Sequence, residues 1–376
     1  MHVSPSIRTA LQSAVDHGVF PGAVLAIRRG GELPSLICAG RLSQDPMDEA
    51  VSESTLYDLA SLTKPLATAT SLALLLQEGR CQIDERLDRI LPELAQAPIG
   101  SSTLRDLLRH SSGFPGWRPF YEQLSPHGAL PSSHEERQHA SRCLLDLLRR
   151  EPLIHRSGAK SLYSDLGFML LGFIIERLSR MTLDRFVADR IAVPLSAGAL
   201  FFLPTQEGRD SERKGLTEFI APTELDGWRR RLLRGEVHDE NAAVAGGVAG
   251  HAGLFGTAES VLSVTGSWLR AHRAQPSFLD PDVVKEFTRR QKEVPGSSWA
   301  LGWDTPSAPS SSGHHFSSRS FGHLGYTGTS VWIDPVAELE VVLLSNRVHP
   351  TRTNDAIRGF RPAIHDLIYE EVVGAP

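Results

Sequence analysis

Apolar positions recur along this chain with two different periods, and the change from one to the other divides it. Near the start, Ile7, Leu11 and Val15 recur at helical spacing and predict an amphipathic helix over Ser6–His17. Two short apolar runs follow, Gly22–Ile27 and Leu36–Ala39, separated by Arg28–Pro34 with its Gly30-Gly31 pair, and they predict a pair of strands. The middle of the chain changes to helical period. Thr70–Gln77, with Leu72, Ala73, Leu74, Leu75 and Leu76 in succession, predicts a helix buried nearly all round, with Gly79 placed to end it. Ser102–Arg109, Glu135–Arg150, Phe168–Leu178 and Thr182–Ile191 predict further helices. Strand-like runs return at Phe321–Trp332 and Leu339–Ser345, before a closing helix over Ile357–Val373.

Strands at both ends and helices between them predict an α+β domain. Its antiparallel β-sheet is built from the N- and C-terminal strands and flanked by helices, with a helical subdomain inserted. This division gives residues 1–60 and 291–376 to the sheet part and 61–290 to the mainly helical part of a single 1–376 domain. Four segments break the periodicity. Gly116–His134 is rich in Pro, Gly, Ser and aromatics, and reads as a surface excursion of the kind that forms lids or binding loops. Pro204–Asp239 is polar and takes no single element. Ala242–Phe255 is dense in glycine, which implies backbone packed closely against core or substrate. Pro306–Gly313 reads as a flexible Ser-rich linker.

Composition narrows the classes. With 41% hydrophobic and 22% charged residues, the chain is an ordinary globular protein. A net charge of −5 and dispersed Lys and Arg argue against a nucleic-acid surface. The longest apolar stretch, Phe168–Ile175, is too short to span a membrane. Met1-His2-Val3-Ser4-Pro5 opens no export leader, so the sequence as written predicts a cytoplasmic protein, periplasmic only where a leader has been removed. Cys38, Cys81 and Cys143 are far apart and odd in number, which indicates neither a disulfide framework nor a metal site.

The chemistry concentrates in three short stretches. In Asp58-Leu59-Ala60-Ser61-Leu62-Thr63-Lys64-Pro65-Leu66, Ser61 and Lys64 are spaced to share one helical face. A Ser at a helix N-terminus meets unpaired N–H groups, and a desolvated Lys beside it can serve as base. Tyr163-Ser164-Asp165 stands before the Phe168 helix, and a Tyr near a Lys ammonium can act as general base because the cation lowers the phenol pKa. His323-Leu324-Gly325-Tyr326-Thr327-Gly328-Thr329 reads as a strand whose glycines admit a substrate backbone and whose N–H groups can stabilise an oxyanion. Rival signals are weak. His134-Glu135-Glu136-Arg137-Gln138-His139 spaces its histidines one residue too far for a helical metalloprotease motif, and no G-x-S-x-G is present.

In this order and spacing, Ser61-Leu62-Thr63-Lys64, Tyr163-Ser164-Asp165 and His323-Leu324-Gly325 resemble the motifs of the penicillin-recognising serine hydrolases. The nearest groups are the class C β-lactamases, their D,D-peptidase relatives and the family VIII carboxylesterases. Leu107-Leu108-Arg109-His110-Ser111-Ser112-Gly113 and Gly250-His251-Ala252-Gly253-Leu254-Phe255 extend the likeness. With Val237-His238-Asp239-Glu240-Asn241 and Ser345–Pro350, they look most like a penicillin-binding-protein branch of type 4B. The resemblance implies a β-lactamase/transpeptidase-like fold and an acyl-enzyme mechanism without metal or cofactor. In it Ser61 attacks, Lys64 and Tyr163 move the proton, and the N–H groups of Ser61 and Tyr326 form the oxyanion hole. Asp165, His323, Gly325 and Thr327 contact substrate, with His323 against a carboxylate or leaving group.

Two departures qualify this. Asp165 stands where the family has Asn; an ionised Asp only accepts hydrogen bonds, so Asp165 is expected to pair with Lys64 or to favour a cationic or hydroxylated substrate. His323 stands where the family has Lys, which weakens recognition of the carboxylate of a β-lactam. The expected substrate is a small ester, amide or peptidoglycan fragment, hydrolysed with weak or no β-lactamase activity. The alternatives are a true class C-type β-lactamase and a non-catalytic scaffold keeping this fold.

Overall fold

The computed structural model describes residues 4–205 and 215–374. Part of the Pro204–Asp239 segment therefore lies outside the described residues. The main sheet has five antiparallel strands, β1 (Gly22–Arg29), β2 (Ser35–Gly40), β8 (Phe321–Leu324), β9 (Ser330–Asp334) and β10 (Leu339–Ser345), in the order β2-β1-β10-β9-β8. The two chain ends meet at its centre, where Ala23 pairs with Ser345 and Arg29 with Leu339. Burial on both faces explains why β1 and β10 read as continuous apolar runs rather than alternating ones. On one face, Ile7 and Leu11 of helix α1 (Pro5–Asp16) pack with Ile364 and Ile368 of the last helix (Ile357–Val372) over Leu25, Ile27 and Leu343. Val24, Ala26, Val342 and Leu344 face the other way, into the larger core shared with the helical part.

That larger core surrounds two helices, Thr70–Gln77 and Asp165–Ser179. The second buries Leu166, Phe168, Met169, Leu170, Leu171, Ile174 and Ile175, almost its whole circumference, as the apolar pattern requires. At about 1.5–3 kcal/mol for each large apolar side chain fully buried, these two helices anchor the region that carries the candidate chemistry. A small sheet of three strands, β3 (Tyr57–Asp58), β4 (Leu200–Phe202) and β7 (Leu254–Gly256), ordered β3-β7-β4, joins the two parts. It also fixes the residues just before Ser61, because Asp58 pairs with Phe255.

Two expectations are corrected, and a third is met by one of its two alternatives. The Phe321–Trp332 strand is two strands, broken at Gly325–Thr329, where the Gly325 N–H bonds the Thr329 carbonyl at 2.7 Å and closes a hairpin. The Ser-rich stretch near Ser311 is not a loose linker: Ser312 is fully buried, Trp332 Nε1 donates to Ser311 Oγ at 3.2 Å, and His365 Nδ1 donates to the Ser311 carbonyl at 2.8 Å. The glycine density before Phe255 serves packing. A Cβ on Gly250 would stand 2.1 Å from the Phe168 carbonyl oxygen, so only glycine lets this segment lie against the Phe168 helix. Among the described residues, no helix is long and apolar enough to cross a membrane, and no cluster of three metal-ligating side chains occurs.

Candidate active site

The backbone at Ser61 departs from regular helix. Ala60, Ser61 and Leu62 form a 3-10 turn, Lys64–Ala69 a π-helical turn, and α-helix follows from Thr70. Pro65 has no N–H to continue an α ladder, and its carbonyl is taken by the Thr70 hydroxyl at 2.8 Å. Ala60 sits at φ +48°, an unfavourable region for a residue with a Cβ. Buried Asp58 holds it there, accepting the Ala60 N–H at 2.8 Å on one carboxylate oxygen and the His238 N–H at 2.6 Å on the other. The N–H groups of Ser61 and Tyr326 find no acceptor within the chain among the described residues. Both are thus free to donate.

Lys64, fully buried, donates to Ser61 Oγ at 3.0 Å and to the His251 carbonyl at 3.1 Å, and forms an ion pair with Asp165 at 2.7 Å. The expected Lys64–Asp165 pairing is therefore present. Burial alone would lower the Lys64 pKa, but Asp165 and Tyr163 outweigh it and the net direction is up. This direction favours the ammonium form of Lys64, one of the two forms that the sequence reading allows. Tyr163 departs from expectation. Burial and Asp165 raise its phenol pKa more than Lys64 and Ser61 lower it. The expected drop assumed a solvated phenol beside a cation; here desolvation dominates.

Tyr163 is held by a turn the sequence showed only as a motif. His110, itself at φ +56°, accepts the Ser164 N–H on Nδ1 at 3.1 Å, and its carbonyl accepts the Leu162 N–H at 2.8 Å. Ser164 caps the following helix: its hydroxyl accepts from the Gly167 N–H and donates to the Pro115 carbonyl. Tyr163-Ser164-Asp165 is thus a helix cap and a site element at once. The Tyr163 ring packs against His110, Trp299 and His323, with ring centres 4.7, 5.4 and 6.0 Å away.

The hairpin residues also serve packing, and Gly325 and His323 line the cleft with Ser61. Thr327 is buried and donates its hydroxyl to the Asp58 carbonyl at 2.7 Å, while Thr329 donates to the Leu59 carbonyl at 3.0 Å. A Cβ on Gly325 would approach the Leu59 carbonyl oxygen to 2.6 Å. Gly325 and Thr327 thus dock the hairpin onto the Ser61 turn, and Tyr326 lines both lobes of the cleft together with Ser61. His323 Nδ1 bonds the Leu324 carbonyl at 2.8 Å, and a carbonyl only accepts, so Nδ1 carries the proton. Its buried Nε2 is then an acceptor, without a partner among the described residues. Burial and Lys64 lower the His323 pKa to about 3. A ring held neutral brings no charge of its own to a carboxylate.

The cations lie elsewhere on the same side. A lobe of ≈ 450 Å³ opens from Ser61 past Trp299 and His323 to Arg347, Arg358 and Arg361. Arg361 Nη2 donates to the carbonyls of Gly325 at 3.0 Å and Thr329 at 2.7 Å, its Nε has no partner, and no carboxylate pairs with it among the described residues. Burial, then repulsion from Arg347, bring its pKa down to about 9, still cationic at neutral pH. A second lobe of ≈ 320 Å³ lies on the other side of Ser61, lined by Trp117, Asp165, Asp239, Glu240, His251 and Arg352 among others. Trp117 brings the Gly116–His134 excursion to this lobe. The Arg118 carbonyl and Tyr121 N–H pin that excursion to the Asn241 side chain at 2.9 and 3.0 Å. Asp58, His110, Trp299 and Arg361 were not singled out from sequence as site residues; only the motif around His110 gave any signal.

The chain has relatives in both sequence and fold. The Beta-lactamase family model matches residues 7–362. A protein of Escherichia coli (strain K12) named "Putative D-alanyl-D-alanine carboxypeptidase" is 36% identical over 317 residues, 78% of this chain and 70% of that one. A protein of the same name from Salmonella agona (strain SL483) is 34% identical over 345 residues, covering 86% and 78%. Among solved structures, simvastatin synthase LovD from Aspergillus terreus superposes with a TM-score of 0.74 at 20% identity, covering 98% of this chain and 99% of that one. EstCE1, a hydrolase with promiscuous acyltransferase activity, gives 0.73 at 19% identity, covering 96% and 97%. Below 25% identity such superpositions speak for the fold alone; with the family match and the sequence relatives, they place this chain in the β-lactamase family of serine hydrolases.

Proposed function

We propose that the chain hydrolyses a peptide or ester bond through an acyl-enzyme on Ser61, as a D,D-carboxypeptidase-like enzyme whose leaving group carries a carboxylate. The observation that carries this reading is the chain of contacts from Ser61 Oγ to Lys64 Nζ to Asp165, at 3.0 and 2.7 Å, at the junction of two lobes. Lys64 donates to Ser61 Oγ, which leaves the serine's own proton to pass to Tyr163 once the Lys64–Tyr163 pair has lost a proton. Attack of Oγ on the carbonyl carbon then puts negative charge on the carbonyl oxygen, facing the N–H groups of Ser61 and Tyr326. Tyr163 returns the proton to the departing amine or alkoxide, and water repeats the sequence to free the acid.

Three arginines line one lobe beside two carboxylates, Asp304 and Asp355, neither of them in an ion pair with an arginine of the lobe among the described residues; this surplus of positive charge supports a leaving group that ends in a carboxylate, as in a C-terminal D-alanine. Asp165 in place of Asn and neutral His323 in place of Lys argue against efficient turnover of β-lactams. Release of D-alanine from Nα,Nε-diacetyl-L-Lys-D-Ala-D-Ala, measured beside hydrolysis of p-nitrophenyl acetate and nitrocefin, tests the reading. Peptide or ester turnover that disappears in Ser61→Ala, with nitrocefin much slower, is the expected result. Rapid nitrocefin turnover would identify a β-lactamase, and no turnover of any substrate would favour a scaffold.

A further inference from the structure

Tyr326 is half exposed, yet its ring and its main chain are both tied down. The Arg347 guanidinium stands 4.5 Å from the ring centre, and Arg347 Nε donates to the Tyr326 carbonyl at 2.9 Å. One side chain therefore grips the residue at two points. No main-chain N–H reaches that carbonyl among the described residues. From the other lobe, the His238 ring stacks on the Tyr326 ring with centres 5.8 Å apart. His238 is itself fixed, its N–H on Asp58 at 2.6 Å and its Nε2 on Glu224 at 2.9 Å.

Arg347 is a fixed part of the cleft wall rather than a mobile surface arginine. It is 8% exposed and in no ion pair among the described residues. Its Nη1 donates to the carbonyls of Arg352 at 2.8 Å and Asn354 at 2.7 Å, which anchors the guanidinium to the turn after β10. The hairpin turn is shaped around its stem: Gly328 sits at φ +122°, and a Cβ there would stand 3.0 Å from Arg347 Cγ. Burying a guanidinium costs solvation, and here the main chain and an aromatic face offset that cost in place of a carboxylate.

We propose that Arg347 is a positioning residue for the oxyanion hole: by gripping the ring and the carbonyl of Tyr326, it holds that residue's N–H in the direction the transition state needs. A backbone donor stabilises a developing oxyanion to the extent that it is aligned before the reaction, and a half-exposed residue at a hairpin turn has no such alignment of its own. Arg347 acts through Tyr326 and needs no contact with the reacting atoms. The inference rests on the proposed function in taking the Tyr326 N–H as an oxyanion donor.

The test is hydrolysis of p-nitrophenyl acetate by the full-length protein, because this substrate has no carboxylate for an arginine to bind. Arg347→Met is expected to lower kcat about tenfold with KM changed by less than about twofold, the signature of an interaction made in the transition state. That is less than the roughly hundredfold loss expected on removing an oxyanion donor outright. Arg347→Lys keeps a cation but not the planar fork, and is expected to lose about threefold, again in kcat. The rate of Ser61 labelling by a fluorophosphonate, whose tetrahedral adduct presents an oxygen to the same donors, is expected to fall in step. A loss confined to KM, or kcat and labelling rate at the unsubstituted level in the folded variants, overturns the inference; if Arg347→Met does not fold, Arg347→Lys decides alone. Labelling that is equally fast in all three proteins overturns this inference and leaves the acyl-enzyme reading standing, whereas no labelling of the unsubstituted protein overturns both.

Discussion

The two lobes that meet at Ser61 handle buried charge in opposite ways. On the Asp165 side, cations and carboxylates are interleaved, and each acid has a partner at 2.7–2.8 Å. On the Arg361 side, the guanidiniums of Arg347 and Arg361 bond main-chain carbonyls of Gly325, Thr329, Tyr326 and the Arg352–Asn354 turn; Asp304 and Asp355 also line this lobe, but neither pairs with them among the described residues. Carbonyl oxygens fix the direction of a guanidinium without neutralising it, so this lobe keeps its positive charge for a ligand. Under the proposed function the first lobe holds the reacting groups in place and the second binds the anion of the substrate. Ser61, the proposed nucleophile, lines both lobes.

Substitutions can break this contrast, beginning with the largest effect. Ser61→Ala is expected to lower kcat/KM for p-nitrophenyl acetate by about a thousandfold or more, since members of a catalytic unit fail together; an unchanged melting temperature in the same preparation shows that the fold survived. Arg361→Met is expected to reduce kcat/KM for a peptide with a free C-terminal carboxylate by about ten- to a hundredfold, and far less for the corresponding C-terminal amide, as loss of a buried charge-assisted contact predicts. Equal losses on both peptides would reassign Arg361 to holding the Gly325–Thr329 turn.

The Asp165 side is sharpened by pH. Asp165 raises the pKa of both Lys64 and Tyr163, and the reacting form has lost one proton from that pair. Activity is therefore expected to rise with pH, and Asp165→Asn to move that rise to lower pH, read from the kcat/KM profile. A milder effect concerns stability. His323 has an ordinary pKa of 6.5 and a folded value of about 3, so between those limits the unfolded chain binds a proton that the folded one does not. Its contribution to stability is intact above pH 6.5 and is lost as pH falls toward 3, a dependence that His323→Gln should reduce in acid melts. The smallest effect is Thr327→Val, expected to cost about 1 kcal/mol for the lost bond to the Asp58 carbonyl, measured by denaturant melts.

The two lobes were also unequally legible in the sequence. Ser61, Lys64 and Tyr163 announce themselves because their chemistry needs fixed spacing near a helix start, and the apolar runs around them have nowhere to go but the core. Asp165 was readable as a partner of Lys64 from its charge alone. The arginine lobe was hidden. Arg361 lies in the closing helix, 36 residues beyond the Gly325 carbonyl it bonds, and no local pattern distinguishes a guanidinium turned inward from one in water. His323, by contrast, was visible, but its charge depends on a burial by Trp299 and Tyr163 that only the folded chain reveals. The glycines near Gly250 and Gly325 signalled close approach correctly, since the Phe168 and Leu59 carbonyl oxygens stand within contact of where a Cβ would be.

The most direct test of the account is intact mass after exposure to a fluorophosphonate and, separately, to benzylpenicillin, with the adduct mapped by peptide digestion. The account predicts a single adduct on Ser61 with the fluorophosphonate, absent from Ser61→Ala, and a slowly hydrolysed adduct at the same residue with benzylpenicillin. No adduct on the folded protein, or an adduct retained by Ser61→Ala, would contradict the assignment of Ser61 as the nucleophile between the two lobes.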